Sequence, residues 1–481
     1  LEKYKLPKIY TALIWIHMPK NKDNAESARK RFAFEEVFFI QLARQKERKE
    51  YEQLFSYKLK IPETDIKDFI SRFPFTPTNA QTQAINSILS DFQKDHAMSR
   101  LVEGDVGSGK TFIAATVAYA VIKNRPFDSA LGKPQTFGNI QVAYMAPTEV
   151  LATQLFEDFI SYFAHTGISI ALITGSGCRK FPSKVASATN EWTNISKSQL
   201  LKWIKNGEIP IVIGTHALIS KTVDFEDLGL VIIDEQHRFG TNQRMKLAKK
   251  EGHAPHYLSM TATPIPRTLA LTIYGDLDLS IIDEMPEGRK KVITEIVAPD
   301  KRELAYEKIK KELIEGRQVY IICPRIDPPS PDGYGRASDP DATTILTMKN
   351  VTSEAKRLQK DIFPNYKIGI MHSKMTKQKK EDVMQEFKNH EIDILVSTSV
   401  IEVGVNVPNA TSIVIEGAER FGLAQLHQLR GRVIRSTHQS YCYLFAEAKT
   451  AKTMDRLRAL TKATNGFELA ELDLSLRGAG L

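Results

Sequence analysis

The sequence predicts an α/β protein of two parallel-sheet lobes behind an N-terminal helical extension. Three observations predict it. From Arg100 onward, short β-branched or apolar runs alternate with helical stretches; the series starts again after the polar, Pro- and Gly-containing stretch Asp283 to Lys291; and 481 residues is well past the roughly 250 to 300 at which one core stops growing. Buried parallel strands read as continuous apolar runs, each needing a crossover to reach the next, with helices covering both faces of the sheet.

The extension comes first. From Ala25 to Tyr57, apolar residues recur at mixed three and four spacing among Arg, Lys, Glu and Gln with no Gly or Pro, which predicts a long helix. Leu1 to Lys60 holds 14 basic against 8 acidic residues, +6 of the net +9. Such a face suits phosphate, and it equally suits the solvated side of a packing helix. The first lobe's strands are RLVEGD, IQVAYMAP, IPIVIGTH, LVIIDEQ and HYLSMTAT; the second lobe's are QVYIICP, YKIGIMH, DILVSTS, SIVIEGA and YCYLFAE. Pro324 to Thr343, rich in Pro, Gly, Ser and Asp, reads as an exposed loop. The expected limits are residues 1–72 for the extension, 73–285 and 286–455 for the lobes, and 456–481 for the start of a C-terminal segment.

Composition narrows the function classes. Hydrophobic residues at 42%, charged residues at 26% and the lack of any membrane-length apolar run describe a soluble protein with no membrane partner. A pI near 9.1 favours a polyanionic partner. Three distant cysteines, Cys178, Cys323 and Cys442, without a C-x-x-C pair, suggest neither a zinc site nor a disulfide framework. The start LEKYKLPKIY has no secretory pattern and no initiating Met, so a cytoplasmic fragment is expected.

The sharpest chemical signal is Gly104-Asp105-Val106-Gly107-Ser108-Gly109-Lys110-Thr111, which fits G-x-x-x-x-G-K-[ST] between a strand and a helix. Gly104, Gly107, Ser108 and Gly109 shape a loop whose backbone N–H groups face phosphates, Lys110 reaches the β- and γ-phosphates, and the Thr111 hydroxyl meets Mg²⁺. The strand LVIIDEQH ends in two acids. Asp234 is placed to associate with the metal and Glu235 to polarise the attacking water, although an acid pair also favours a helix start. In QLHQLRGRVIRS, Arg430, Arg432 and Arg435 cluster behind Gln428; they suit either a charge delivered by the second lobe during phosphoryl transfer or a solvated helix face.

Together these segments resemble the superfamily 2 helicases, and within them the RecG branch-migration helicases. The resemblance rests on Phe75-Thr76-Pro77-Thr78 with Gln81, the phosphate loop, APTEVLATQ, GTHALI, DEQHRFGTNQR, SMTATPIPRTLAL, VSTSVIEVGVNVPNAT and QLHQLRGRVIRS. The related transcription-repair coupling translocase carries DEEQ where this chain has Asp234-Glu235-Gln236-His237. The resemblance implies two RecA-like lobes that use ATP and Mg²⁺ to move on DNA. It implies Gln81 as the adenine reader, and Lys110, Glu235, Arg432 and Arg435 as catalytic. Thr261 and Thr263 would couple nucleotide state to lobe motion, and Thr148, Thr215, His216 and Thr398 would face the DNA backbone.

The implied partners are branched double-stranded DNA, such as forks and Holliday junctions, and single-stranded DNA-binding protein, with the motor acting as a monomer in DNA repair and recombination. A wedge domain before Leu1 and the remainder of the segment after Phe467 to Leu481 would complete such a protein. The chain departs from the family pattern at Ile434, between the two arginines, where the family has Gly; at Asn406, where it has Asp; and at Ser373, where it has Gly. A nucleotide-gated DNA-binding scaffold with little turnover, an RNA helicase and the coupling translocase fit the same motifs.

Overall fold

The computed structural model describes residues 4–59, 62–123, 127–128, 133–134, 140–183, 191–215, 218, 220, 222–235, 253–263, 266, 275–286, 288, 290–324, 351–372, 374–398, 407–434, 438–447, 450–463 and 465–477. Its described residues form the expected α/β fold. The extension is α1 (Ile9–His17) and α2 (Lys22–Glu52), and α3 (Glu63–Ile70) and α4 (Asn79–Asp91) precede the first sheet.

Helix α2 stops at Glu52, short of the expected Tyr57. Tertiary bonds override the continuing helical pattern. Tyr57 turns its hydroxyl onto Asp227 at 2.6 Å and its ring edge onto His253, and Leu59 N–H donates to Phe92 O at 2.8 Å. The helix itself covers one edge of the first sheet. Arg48 grips both carboxylate oxygens of Asp278 at 3.2 Å, Gln45 donates to Gly275 O, and the Tyr51 hydroxyl donates to Pro255 O.

The first lobe contains β1 (Ser99–Gly104), α5 (Lys110–Lys123), the two-residue pair β2 (Phe127–Asp128) and β3 (Lys133–Pro134), β4 (Gln141–Met145), α6 (Glu149–Phe163), β5 (Ile170–Thr174), β6 (Gly177–Phe181), β7 (Thr193–Ile195), α7 (Lys197–Lys205), β8 (Ile211–Gly214), β9 (Leu228–Asp234), β10 (His256–Thr261) and β11 (Asp278–Ile282). Its sheet runs β11-β1-β10-β9-β4-β8-β5-β6-β7, parallel except where β6 and β7 turn back. Alternation assigns each strand to two cores: Val142 and Tyr144 of β4 join one, Ala143 and Met145 the other. Both are closed by helices, which is why these strands are apolar throughout.

The second lobe contains β12 (Ile293–Val297), α8 (Arg302–Ile314), β13 (Gln318–Ile322), α9 (Val351–Arg357), β14 (Ile368–Met371), α10 (Lys377–Lys388), β15 (Ile394–Ser397), β16 (Ala410–Glu416), α11 (Leu423–Arg430) and β17 (Tyr441–Phe445). All six strands are parallel, in the order β12-β17-β16-β13-β15-β14, again between two cores. Two helices follow, α12 (Ala451–Lys462) and α13 (Gly466–Arg477). Each fully buried large apolar side chain of these cores, such as Phe156 or Phe387, contributes about 1.5–3 kcal/mol. All three cysteines are buried. Among the described residues, no helix is long and apolar enough to cross a membrane. The loop expected over Pro324 to Thr343 lies, after Pro324, outside the described residues.

Candidate functional site

The site begins where β1 ends. Gly107 and Gly109 take φ of +82° and +88°, backbone that a side chain rarely tolerates, so the loop can turn tightly into the N-terminus of α5. Lys110 folds over the loop, its ammonium donating to Gly104 O at 2.7 Å and Asp105 O at 2.9 Å. Thr111 follows in the first turn of α5.

Gln81 braces this loop from behind. Thr78 and Gln81 form a capping box that starts α4: Gln81 N–H donates to Thr78 Oγ1 at 3.2 Å and Thr78 N–H donates to Gln81 Oε1 at 2.9 Å. The other end of the amide donates to Ser108 O at 2.7 Å. The side chain is fully buried, and a Cβ on Gly109 would lie 2.3 Å from its Nε2. In this structure Gln81 therefore holds the phosphate loop in place.

Asp234 closes β9 at the level of Met260 on β10, which is itself level with Val102 on β1, so the acid and the loop share one edge of the sheet two strands apart. Glu235 leaves the strand with φ of +53°, a left-handed conformation that costs a non-glycine residue about 1–3 kcal/mol. The bonds around it hold that geometry. Its N–H donates to Met260 O at 2.9 Å, its Oε1 accepts from Ala262 N–H at 2.7 Å, and its Oε2 accepts from the Thr261 hydroxyl at 3.4 Å.

The path continues across the cleft. Thr263 N–H donates to Thr261 Oγ1 at 3.0 Å, and the Thr263 hydroxyl accepts from Gln428 Nε2 of α11 at 2.8 Å. Thr261 and Thr263 thus link the strand-tip acid to the second lobe. Gln428 stood beside the arginine cluster in the sequence without a role.

The second lobe reaches the phosphate loop itself. Asp105 Oδ1 accepts from His427 Nε2, and its Oδ2 accepts from Gly466 N–H at 2.9 Å. Burial alone would raise the Asp105 carboxyl, but His427, Gly466 N–H and Lys110 together hold it below the ordinary carboxylate range. Gly431 packs so closely on the loop that a Cβ there would lie 2.8 Å from Val106. Neither Asp105, His427 nor Gly466 stood out in the sequence, because their meaning exists only when the lobes meet.

The three arginines part company. Arg430 is buried and anchored, donating to Leu460 O at 2.7 Å and to His427 Nδ1 at 2.9 Å. Arg432 is also buried, in a 3₁₀ turn over Gly431–Val433 beside the loop. Arg435 lies outside the described residues, as do His216, Asn406 and Ser373. Ile434 takes φ −74° and ψ −7°, an ordinary right-handed conformation that does not require glycine.

The residues expected to face DNA sit beyond strand tips of both lobes. Thr148 caps α6, accepting from Leu151 N–H at 3.3 Å, Thr215 follows β8, and Thr398 follows β15. The Thr398 hydroxyl is buried with no hydrogen-bond partner among the described residues. Whatever could use it must approach that tip.

Known proteins are similar to this chain in sequence and fold. Residues 78–272 match the model of the DEAD/DEAH box helicase family, and residues 304–437 match that of the helicase conserved C-terminal domain. The whole chain aligns at 43% identity with the ATP-dependent DNA helicase RecG of Synechocystis and with that of Bacillus subtilis, spanning 52% and 64% of their lengths. A solved structure of RecG bound to a three-way DNA junction superposes on the whole chain with a TM-score of 0.79 at 39% identity, the chain spanning 58% of it. The helicase MrfA bound to DNA shares the fold at 17% identity, with a TM-score of 0.57. Over its entire length, then, this two-lobed chain is similar to helicases of the RecG family.

Proposed function

We propose that this chain is an ATP-driven DNA motor, and that within a longer protein it remodels branched DNA in repair and recombination. The observation that carries the reading is the hydrogen-bonded path from Glu235 through Thr261 and Thr263 to Gln428, which gives events at a nucleotide a mechanical route to the second lobe. In this reading residues 73–285 bind ATP and residues 286–455 move. Gln81 positions the loop and meets adenine, the loop from Gly104 to Thr111 holds the phosphates, and Lys110 bears on the group being transferred.

The oxygen donors of Thr111 and Asp234 suit a hard cation, and Mg²⁺ held there would neutralise phosphate charge. Glu235 orients water, and Arg432 with Arg435 supplies positive charge from the opposite lobe. Hydrolysis reverses the closure, and the grip through Thr148, Thr215, His216 and Thr398 shifts along the backbone. Hydroxyls and N–H groups grip phosphate without reading sequence, as translocation requires. Forks and Holliday junctions are the proposed substrates, supported by the three-way junction bound to the relative. Single-stranded DNA-binding protein is the proposed partner of a monomer working in the cytoplasm.

ATP hydrolysis by the chain and by Lys110→Ala, measured without nucleic acid and with duplex DNA, a synthetic fork or RNA, tests this. Turnover stimulated by DNA and abolished in the variant is expected. ATP binding without DNA-stimulated turnover would make the chain a scaffold, and stimulation by RNA alone would make it an RNA motor.

A further inference from the structure

Asp105 plays no part in the chemistry above, yet its side chain is bonded across the lobes. Its carboxylate receives two elements of the second lobe at once, α11 through His427 and the N-terminus of α13 through Gly466 N–H. The helix end adds a favourable field for the negative charge. His427 is itself 1% exposed and bonded at both nitrogens. Because Arg430 can only donate, Nδ1 accepts and the ring proton sits on Nε2, aimed at Asp105. Arg430 in turn is pinned to Leu460 O near the end of α12. A carboxylate, an imidazole and a guanidinium thus run in series from the phosphate loop to the C-terminal helices.

The same residue also touches the catalytic lysine. The backbone carbonyl of Asp105 accepts from Lys110 Nζ, so displacement of the Asp105 side chain moves a group on which the ammonium rests. Next to it, Val106 abuts Gly431. A buried charge that loses one of its partners is strongly disfavoured, so the loop follows the second lobe rather than letting the carboxylate go.

We propose that Asp105 and His427 are positioning residues, a buried latch through which the second lobe and helices α12 and α13 set the phosphate loop and Lys110 for hydrolysis. This deepens, and rests on, the reading of the chain as a DNA-stimulated ATPase. DNA that moves the second lobe would act through the latch on turnover, while nucleotide affinity stays with the first lobe.

The test uses the 481-residue chain with His427→Ala, His427→Gln, Asp105→Asn and the double variant Asp105→Asn/His427→Ala. His427→Ala lowers DNA-stimulated kcat about tenfold and leaves the affinity for a fluorescent ADP analogue within about twofold. His427→Gln recovers most of the rate, since an amide offers both a donor and an acceptor. The double variant loses no more than its worse parent, as residues acting as one unit do. Where wild type shows DNA-stimulated turnover, unchanged kcat in His427→Ala, or kcat and affinity falling together without rescue by Gln, overturns the latch.

A second readout does not depend on turnover. All three native cysteines are buried, so dyes can be placed on exposed Lys202→Cys and Glu315→Cys, one on each lobe. His427→Ala and Asp105→Asn each shift the inter-dye distance upward, by the same amount alone as together. If wild type shows no DNA-stimulated turnover but the distances shift, the motor reading fails and the latch stands. If the distances do not move, the latch is refuted whatever the rates show.

Discussion

In the first lobe, β1, β10, β9, β4, β8 and β5 lie side by side and parallel; in the second, β12, β17, β16, β13, β15 and β14 repeat that order. The likeness extends to a polar detail. Gln141 opens β4 and Gln318 opens β13, both fully buried, and each donates its amide to two carbonyls at the corresponding crossover: Ile204 and Ile209 in one lobe, Phe387 and Ile392 in the other. The lobes diverge after the first strand. β1 runs into a loop with two left-handed glycines and Lys110, whereas β12 runs into Pro299, a 3₁₀ turn and Arg302 at the start of α8.

The strand tips follow suit. β9 and β16 are both seven residues long and end on an acid, Asp234 and Glu416. In the second lobe Arg302 Nη1 lies 3.6 Å from Glu416 Oε2, so that acid is compensated from within. A strand-tip carboxylate is thus common to both lobes; the glycine-rich loop is what distinguishes the lobe proposed to bind nucleotide.

Neutralising the two tip acids should give opposite results. Asp234→Asn is expected to lower kcat about 100- to 1000-fold, the scale of losing one fixed charge at a phosphoryl-transfer site, with the fold intact by circular dichroism. Glu416→Gln should leave turnover and nucleotide affinity unchanged while costing about 1–3 kcal/mol in urea unfolding, because a buried partner of Arg302 loses its charge. Equal kinetic losses would erase the distinction between the tips.

Acid should separate the lobes next. Burial pushes the His256 imidazole down to about 4 from an ordinary value near 6.5. The neutral ring accepts from Met98 N–H at 3.0 Å and contacts Tyr57 O at 2.7 Å through Nε2, which suits a donated N–H. A histidine whose folded pKa is depressed contributes stability that is whole above the unfolded value and declines as pH falls toward the folded one. Between pH 6.5 and 4 the first lobe therefore loses up to ~3 kcal/mol. Of the three tryptophans, Trp192 and Trp203 lie in the first lobe, Trp15 lies in α1 and none lies in the second lobe, so urea unfolding followed by tryptophan fluorescence at both pH values reports on the first lobe together with the extension and not on the second lobe. His256→Asn, with no proton to gain, should flatten the profile; a slope that persists would place the acid sensitivity elsewhere.

Much of this architecture was readable before the structure. Strands buried on both faces announce themselves as unbroken apolar runs, so β1, β4, β8, β9, β10 and β13 to β17 were legible; β5 was missed, although IALIT carries the same signal. β11, β12, β6 and β7 were not, since strands at or near a sheet edge mix polar residues into short runs. The phosphate loop and acid pair were legible because each is contiguous in the sequence. Asp105 and His427 stand 322 residues apart and meet only through lobe closure, so no spacing rule could pair them. Gln81 stood out in the sequence only as the adenine reader that the resemblance implies; its capping box and its grip on Ser108 required the fold.

The smallest effects sharpen the comparison at one backbone conformation in two settings. Gly109 and Gly316 have nearly the same φ, +88° and +77°. Around Gly316, just past α8, a Cβ would meet nothing within 4 Å, so Gly316→Ala bears only the left-handed strain, about 1 kcal/mol. At Gly109 the same methyl would press on Gln81 Nε2 and threaten its bond to Ser108 O. Gly109→Ala should therefore cost about 2 kcal/mol or more and weaken nucleotide binding, while Gly316→Ala leaves binding untouched. Urea unfolding and titration of a fluorescent ADP analogue measure both. Equal costs would mean that Gln81 yields freely and that the loop is shaped by its glycines alone; a larger cost at Gly109 assigns the excess to the Gln81 brace, which has no counterpart around Gly316 among the described residues.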